Sequence, residues 1–255
     1  MLFDWLFRPR RQEARKELLA KPFPDEWQHY LKGLPFYRAL DERGQKRIRD
    51  DLRVLIAEKD WEGCGGLEIT DEIKVTIAAQ ASLLLLNIEH DYYKHVASIL
   101  VYPSAYKTAP QRDAAGVMRE GQANLGEAWR RGPVVLTWDA TMRGAVDAKD
   151  GHNLVMHEFA HKLDMLDGLA DGTPLLESKD QLSEWVRVMS GEYEKLRDAA
   201  KTGRATVMDT YGATNPAEFF AVATECFFEK ARKLKQRHPS LYACLKDYYH
   251  QDPAA

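Results

Sequence analysis

The sequence predicts an α+β fold, in which a helical front is followed by a small sheet and a mostly helical remainder. Helical periodicity runs from Pro24 to Asp60, two β-like segments lie within 96–138, and helical patterns return after residue 151. Strands that are grouped in the chain, with helices gathered before and after them, are typical of α+β proteins.

The helical front shows one buried face and then a break. Leu52, Leu55 and Ile56 are spaced so that they share one side of a helix, with arginine and aspartate residues on the other side. The Gly65-Gly66 pair that follows Cys64 interrupts this pattern. A helix that lies on the protein surface is therefore predicted up to about residue 60.

A second helix is predicted to be buried. Thr70 is a good N-cap residue, and the acidic Asp71 and Glu72 that follow suit the first turn of a helix. The run from Ile73 to Ile88 is apolar on most sides, which indicates a helix surrounded by protein.

Two segments are predicted to be strands. The first, over 96–102, is rich in β-branched residues and ends at Pro103, and the second, over 133–138, ends at Asp139. The glycine- and alanine-rich stretch between them, from Gly116 to Gly126, is compatible with further strand or with loop.

The rest of the chain is predicted to be helical, over about 152–167, 178–200, 216–236 and 240–249. The length of 255 residues suits one domain over 1–255, with a helical N-terminal region over about 1–90. The apolar start of the chain (Phe3, Trp5, Leu6 and Phe7) is predicted to be retained and to pack onto the body.

Composition excludes several classes of protein. The net charge of −3 argues against direct binding of nucleic acid, which usually requires a basic surface. Three cysteines without a CxxC pair argue against a disulfide framework and suit a reducing cytoplasm. The longest aliphatic run, Leu83 to Leu86, is too short to span a bilayer. A cytoplasmic protein is therefore expected.

The most informative segment is His157-Glu158-Phe159-Ala160-His161, an HExxH motif. Residues four apart lie on the same face of a helix, so both imidazoles can bind one metal ion. Glu158 is placed to take a proton from an activated water without binding the metal itself. The motif predicts a catalytic zinc site.

A catalytic zinc usually has three protein ligands, and the sequence offers several carboxylates as the third. Asp167 has a suitable spacing, but the glycine that normally permits the required bend is replaced by Asp164. Asp164 is expected instead to accept a hydrogen bond from a histidine N–H. Glu218 and Glu225, on a later helix, are also candidates, although Glu218 is equally suited to a capping box with Asn215.

HEFAHKLD, followed about 50 residues later by YGATNPAEFFAVATE, resembles the Mlc titration factor A family of bacterial zinc peptidases. The resemblance covers nearly the whole chain, and the length and order of the second motif make it more specific than HExxH alone. The family is in turn distantly similar to the protease domain of anthrax lethal factor. Both share a tyrosine seven residues before the glutamate ligand, as Tyr211 precedes Glu218 here.

The resemblance implies a zincin-like metallopeptidase domain with the HExxH helix at its active site. It implies one zinc ion per chain, held by His157, His161 and Glu218, with Glu158 as general base and Tyr211 stabilising the oxyanion. It further implies a cytoplasmic, aminopeptidase-like enzyme that acts on peptides and binds the transcriptional repressor Mlc, relieving repression of glucose-uptake genes.

Two other interpretations remain open from the sequence. The first is a non-catalytic protein that sequesters a repressor and carries a vestigial or regulatory zinc site. Glu158 beside both histidines favours catalysis, because a metal scaffold does not need that carboxylate. A purely structural zinc site is disfavoured, because such sites usually have four ligands, often cysteines.

Overall fold

A computed structural model describes residues 4–104, 111–112, 118–119, 132–147 and 149–255. The helices before the sheet are α1 (Asp4–Ala20), α2 (Asp25–Gly33), α3 (Pro35–Ala39) and α4 (Glu42–Glu58). The strands are β1 (Asp60–Gly63), β2 (Ser98–Tyr102), β3 (Gln111–Arg112), β4 (Met118–Arg119) and β5 (Val134–Thr137), with helix α5 (Asp71–Leu85) between β1 and β2. This order agrees with the predicted α+β class.

The remainder of the chain is helical; the helices after residue 151 were predicted, whereas the one over 138–146 was not. It contains α6 (Trp138–Val146), α7 (Leu154–Asp164), α8 (Lys179–Thr202), α9 (Pro216–Glu229), α10 (Ala231–Arg237) and α11 (Pro239–Tyr249). Short 3-10 helices lie over Met165–Asp167 and Thr210–Ala213. Within the described ranges, none of these helices is long and apolar enough to cross a lipid bilayer.

The main sheet has three parallel strands in the order β1-β2-β5. In the central strand, Ile99 pairs with Trp61 on one side and Val101 pairs with Leu136 on the other. Alternate residues of β2 and β5 are buried, which is the period expected of strands with one covered face. As far as the structure describes the sheet, β5 is an edge strand, and α7 packs against it.

Helix α5 lies at the centre of the core. The Thr70 side chain accepts a hydrogen bond from the Ile73 N–H, so the predicted N-cap is present. All its residues from Val75 to Leu85 are buried. The helix packs against both α4 and α7, so it supports the HExxH helix from within the core.

Two of the differences from the predictions concern strand β1 and the helix that begins at Pro216. Strand β1 was not predicted, because its four residues carry no apolar alternation and are held by pairing with β2. The single helix predicted over 216–236 is interrupted at Lys230, whose φ of −114° and ψ of 30° depart from helical values. All three cysteines are free, as expected. The predicted packing of the apolar N-terminal side chains lies outside the described residues.

The loop after α7 is held in place by hydrogen bonds to both backbone groups of Gly172. The buried Asp164 carboxylate accepts a hydrogen bond from the Gly172 N–H, and the Gly172 carbonyl accepts one from the Trp185 indole, both at 3.0 Å. Gly172 has a φ of +80°, and a Cβ atom there would lie 2.4 Å from the Pro216 carbonyl oxygen. This position therefore joins α7, α8 and the start of α9, and it admits only glycine.

Gly172→Ala is expected to lower the free energy of unfolding by at least about 2 kcal/mol, because it combines an unfavourable φ with a clash against backbone. Urea unfolding would measure this change in the free energy of unfolding.

Two controls separate the effect of the unfavourable φ from that of the clash. Gly203 also has a positive φ but nothing within 4 Å of its Cβ position, so its alanine variant should lose only about 1 kcal/mol. Gly191, inside α8 with open space, should gain stability. Equal effects at 172 and 203 would contradict the clash.

Candidate metal centre and cleft

Helix α7 presents two histidines on one face. It begins after Asn153, whose side chain accepts a hydrogen bond from the Met156 N–H at 3.0 Å. Phe159 is buried in the core, whereas His157 and His161 are only partly buried on the opposite side. Their rings lie 4.8 Å apart between centroids, and their Nε2 atoms are 3.2 Å apart. The predicted i, i+4 arrangement is therefore present.

Helix α9 brings Glu218 to the two histidines. Asn215 caps this helix by accepting the Glu218 N–H at 2.9 Å, and Pro216 occupies the first helical position. The Glu218 carboxylate Oε2 lies 3.0 Å from His157 Nε2 and 3.4 Å from His161 Nε2. Of the two hydrogen bonds in a capping box, the one from the Glu218 N–H to the Asn215 side chain is therefore present. The Glu218 side chain contacts the histidines instead of the Asn215 N–H.

These three side chains fit a zinc ion. Two imidazole nitrogens and one carboxylate oxygen are the donor types of catalytic zinc sites, and three donors leave a fourth position open. Ligands about 2.0–2.2 Å from a tetrahedral zinc are separated by about 3.3 Å. The observed separations of 3.0, 3.2 and 3.4 Å match this value. Across the part of the chain that the structure describes, this is the one such convergent group of three.

The electrostatics of the group also favour a cation. Burial alone would lower the pKa of His157, but hydrogen bonds with Glu218 and Glu225 outweigh it and raise the pKa to about 10. For Glu218, burial acts to raise the pKa, while the two histidines lower it to about 2. The carboxylates therefore stabilise positive charge at the point where the three donor atoms meet.

Glu158 and Tyr211 lie beside this group. Burial raises the pKa of Glu158, which makes its carboxylate a stronger base than an exposed glutamate. Tyr211 lies on the 3-10 helix over Thr210–Ala213, with its ring centroid 6.0 Å from that of His157. Partial burial, together with the negative charges of Glu218 and Glu158, raises the pKa of Tyr211, so its hydroxyl stays protonated and able to donate. The Tyr211 residue is 54% exposed.

A cavity of about 550 Å³ opens beside these residues. His157, Glu158 and Tyr211 form one part of its wall. Further polar lining comes from α6, from α9 and from the segments before α7 and before the 3-10 helix. It consists of Arg143, Asp150, His152, Asn153, Asp209 and Glu225. The cavity is large enough for a few residues of a peptide.

The other carboxylate candidates have different positions. Asp164 is fully buried but accepts from Gly172 rather than from a histidine, so the expectation of a histidine contact was wrong. Its burial raises the pKa of Asp164 to about 6. Asp167 accepts the Leu169 N–H at 2.8 Å and is not part of the convergent group. Glu225 is buried, and its Oε1 lies 2.7 Å from His157 Nδ1, on the side of the ring away from Glu218.

One residue that matters here was not singled out from the sequence. Asn153 was included within a helix predicted to start at 152, but it is the N-cap of α7 and contacts Glu225 and Glu229. An asparagine shortly before an apolar helical run is a recognisable N-cap signal, so the capping role of Asn153 was predictable from the local sequence. Its contacts with α9 depend on the tertiary structure.

The family model for glucose-regulated metallo-peptidase M90 matches residues 8–250. The chain belongs to this family. An uncharacterized protein of Synechocystis sp. is 38% identical over 244 residues, covering 93% of this chain and 88% of the relative. Mlc titration factor A of Serratia proteamaculans is 33% identical over the full chain, covering 95% of that protein. Mlc titration factor A of Yersinia pestis is 30% identical over the full chain and covers 92% of that protein. A metallo-peptidase family implies a metal, which the His157, His161 and Glu218 group suits.

Proposed function

We propose that this protein is a cytoplasmic, zinc-dependent peptidase of the aminopeptidase type. His157, His161 and Glu218 would hold the zinc ion, one per chain. The observation that supports this most strongly is the convergence of these three donors beside Glu158, since a metal scaffold alone has no need of that carboxylate. Zinc at such a site supplies a Lewis acid that polarises a carbonyl and makes water more acidic.

Glu158 acts as the general base. Its carboxylate takes a proton from the attacking water and passes it to the leaving amine as the peptide bond breaks. Burial raises the pKa of Glu158, so its carboxylate accepts the proton of the water more readily than an exposed glutamate would. The protonated form is then the acid that donates to the leaving amine. The negative oxygen that forms on the scissile carbon accepts a hydrogen bond from the Tyr211 hydroxyl.

The substrate backbone pairs with β5. This strand is at the edge of the sheet as described, and it packs against α7, the helix that carries both histidines. The preference for unblocked peptides is supported by charge: Asp150 and Asp209 line the same cavity and can pair with an α-ammonium group.

The test is hydrolysis of short unblocked peptides and their N-acetylated counterparts by zinc-loaded protein, with products identified by mass spectrometry. We expect residues to be released from the amino ends of the unblocked set only. Internal cleavage of both sets would replace the aminopeptidase assignment with an endopeptidase. Absence of cleavage in both sets would contradict a catalytic role.

Tyr211→Phe is expected to lower turnover by about 10²-fold with zinc content unchanged, because one donor to the oxyanion is lost. Turnover is measured at saturating peptide, and zinc by elemental analysis. Tyr30→Phe is the matched control, since the Tyr30 hydroxyl donates to Glu26 on the surface of α2. Unchanged turnover in Tyr211→Phe would exclude the oxyanion role.

We also propose that the protein binds a repressor related to Mlc. This proposal is supported by the name of the relatives at 33% and 30% identity, Mlc titration factor A. Gel filtration of the protein mixed with purified Mlc from Serratia proteamaculans would detect a complex. A complex formed by a protein that cleaves no peptide would favour the alternative of a non-catalytic, repressor-sequestering protein.

A further inference from the structure

Glu225 contacts Nδ1 of His157, the ring nitrogen that faces away from the proposed zinc site. The Glu225 residue is 6% exposed, and its carboxylate Oε1 lies 2.7 Å from His157 Nδ1. The other ring nitrogen, Nε2, faces Glu218 at 3.0 Å. Two glutamates seven residues apart on α9 therefore contact the two nitrogens of one imidazole.

This geometry specifies where the proton of the imidazole lies. The second oxygen of Glu225 accepts a hydrogen bond from the Asn153 backbone N–H, so both carboxylate oxygens are acceptors. An ionised carboxylate can only accept, and therefore Nδ1 of His157 donates its proton to Glu225. Nε2 is then the ring nitrogen that faces Glu218 and the cleft, where a zinc ion would take the place of its proton.

Asn153 keeps this carboxylate in place. The same residue begins α7 by capping the Met156 N–H, and its side-chain amide donates to Gln80 at 2.9 Å and Glu229 at 3.0 Å. All these groups are buried among α5, α7 and α9. Glu225 is thus held relative to the start of the helix that carries His157.

We propose that Glu225 is a positioning residue, which holds His157 in the Nδ1–H tautomer with Nε2 free to bind zinc, and which is not a ligand itself. This inference rests on the proposed zinc site. Glutamine at position 225 has one acceptor and one donor group in place of two acceptors, so it cannot satisfy both His157 and Asn153. Loss of such a partner typically weakens metal binding by about 10- to 100-fold.

The experiment measures zinc affinity by competition with a chromophoric chelator for wild type, Glu225→Gln and Glu192→Gln. Glu192 is a matched control, because it is also 6% exposed and contacts a histidine Nδ1, that of His238 at 2.6 Å, outside the zinc group. We expect about 10- to 100-fold weaker binding in Glu225→Gln and wild-type affinity in Glu192→Gln. Equal affinity in all three proteins would overturn the inference.

A second measurement does not depend on any variant. Nitrogen-15 NMR of the histidine rings in zinc-loaded wild type is expected to show His157 protonated at Nδ1, with slow exchange of that proton. A His157 ring protonated at Nε2 would overturn the inference even if Glu225→Gln did not fold. Failure of wild type to bind zinc would instead contradict the proposed function, so the two failures are distinguishable.

Discussion

Replacing Glu158 with glutamine is expected to lower peptide turnover by about 10²- to 10⁴-fold while zinc binding is retained. Glutamine has nearly the same shape but cannot accept the proton of the attacking water. Zinc is retained because the convergent donors are His157, His161 and Glu218, and Glu158 is not among them. Turnover should be followed by mass spectrometry, and zinc by elemental analysis of the same sample.

A surface variant provides the comparison for Glu158→Gln. Glu184→Gln changes an exposed carboxylate on α8 that pairs with Arg187, so it alters the net charge equally without touching the cleft. Its turnover should equal that of wild type. If Glu158→Gln hydrolysed peptides at the wild-type rate, the general base would have to be another group, and the proposed mechanism would be wrong.

Glu218→Gln is expected to weaken zinc binding by more than about 100-fold, which exceeds the usual loss when a neighbour of a ligand is changed. The substitution removes the negative charge and replaces a carboxylate donor with a weaker amide oxygen. Burial acts to raise the pKa of Glu218, but its contacts with the two histidines lower it to about 2, so the carboxylate is ionised in the structure. Chelator competition would measure the affinity, and activity should fall with zinc content.

Asp167→Asn tests the competing assignment in the same assay. By sequence spacing Asp167 was a candidate third ligand, but in the structure it caps the turn at Leu169. Its variant should bind zinc as wild type does. Retention of zinc by Glu218→Gln together with its loss from Asp167→Asn would reverse the assignment of the third ligand.

Local interactions account for the elements that the sequence predicted well. The Thr70 cap, the buried helix α5 and the helical HExxH segment depend on contacts within a few residues, so their signals are present in short stretches of chain. The start of α9 was also predictable, because Asn215 and Pro216 favour a helix N-terminus whatever surrounds it.

Elements that depend on distant partners were not predictable in this way. Strand β1 exists because it pairs with β2, which is more than thirty residues away in the chain. The break at Lys230 likewise separates two segments that both show helical patterns. Pairing of strands and packing of helices override weak local preferences.

By itself, the sequence determined that His157 and His161 share a helix face with Glu158 adjacent, since 3.6 residues per turn fix that relation. The choice among the carboxylates required the tertiary structure. Glu218, Glu225, Asp164 and Asp167 all had plausible spacings, and the packing of α9 against α7 brought Glu218 to Nε2 and Glu225 to Nδ1 of the same ring. The physical reason is that helical periodicity is a local property, whereas the distance between two helices depends on the core that separates them.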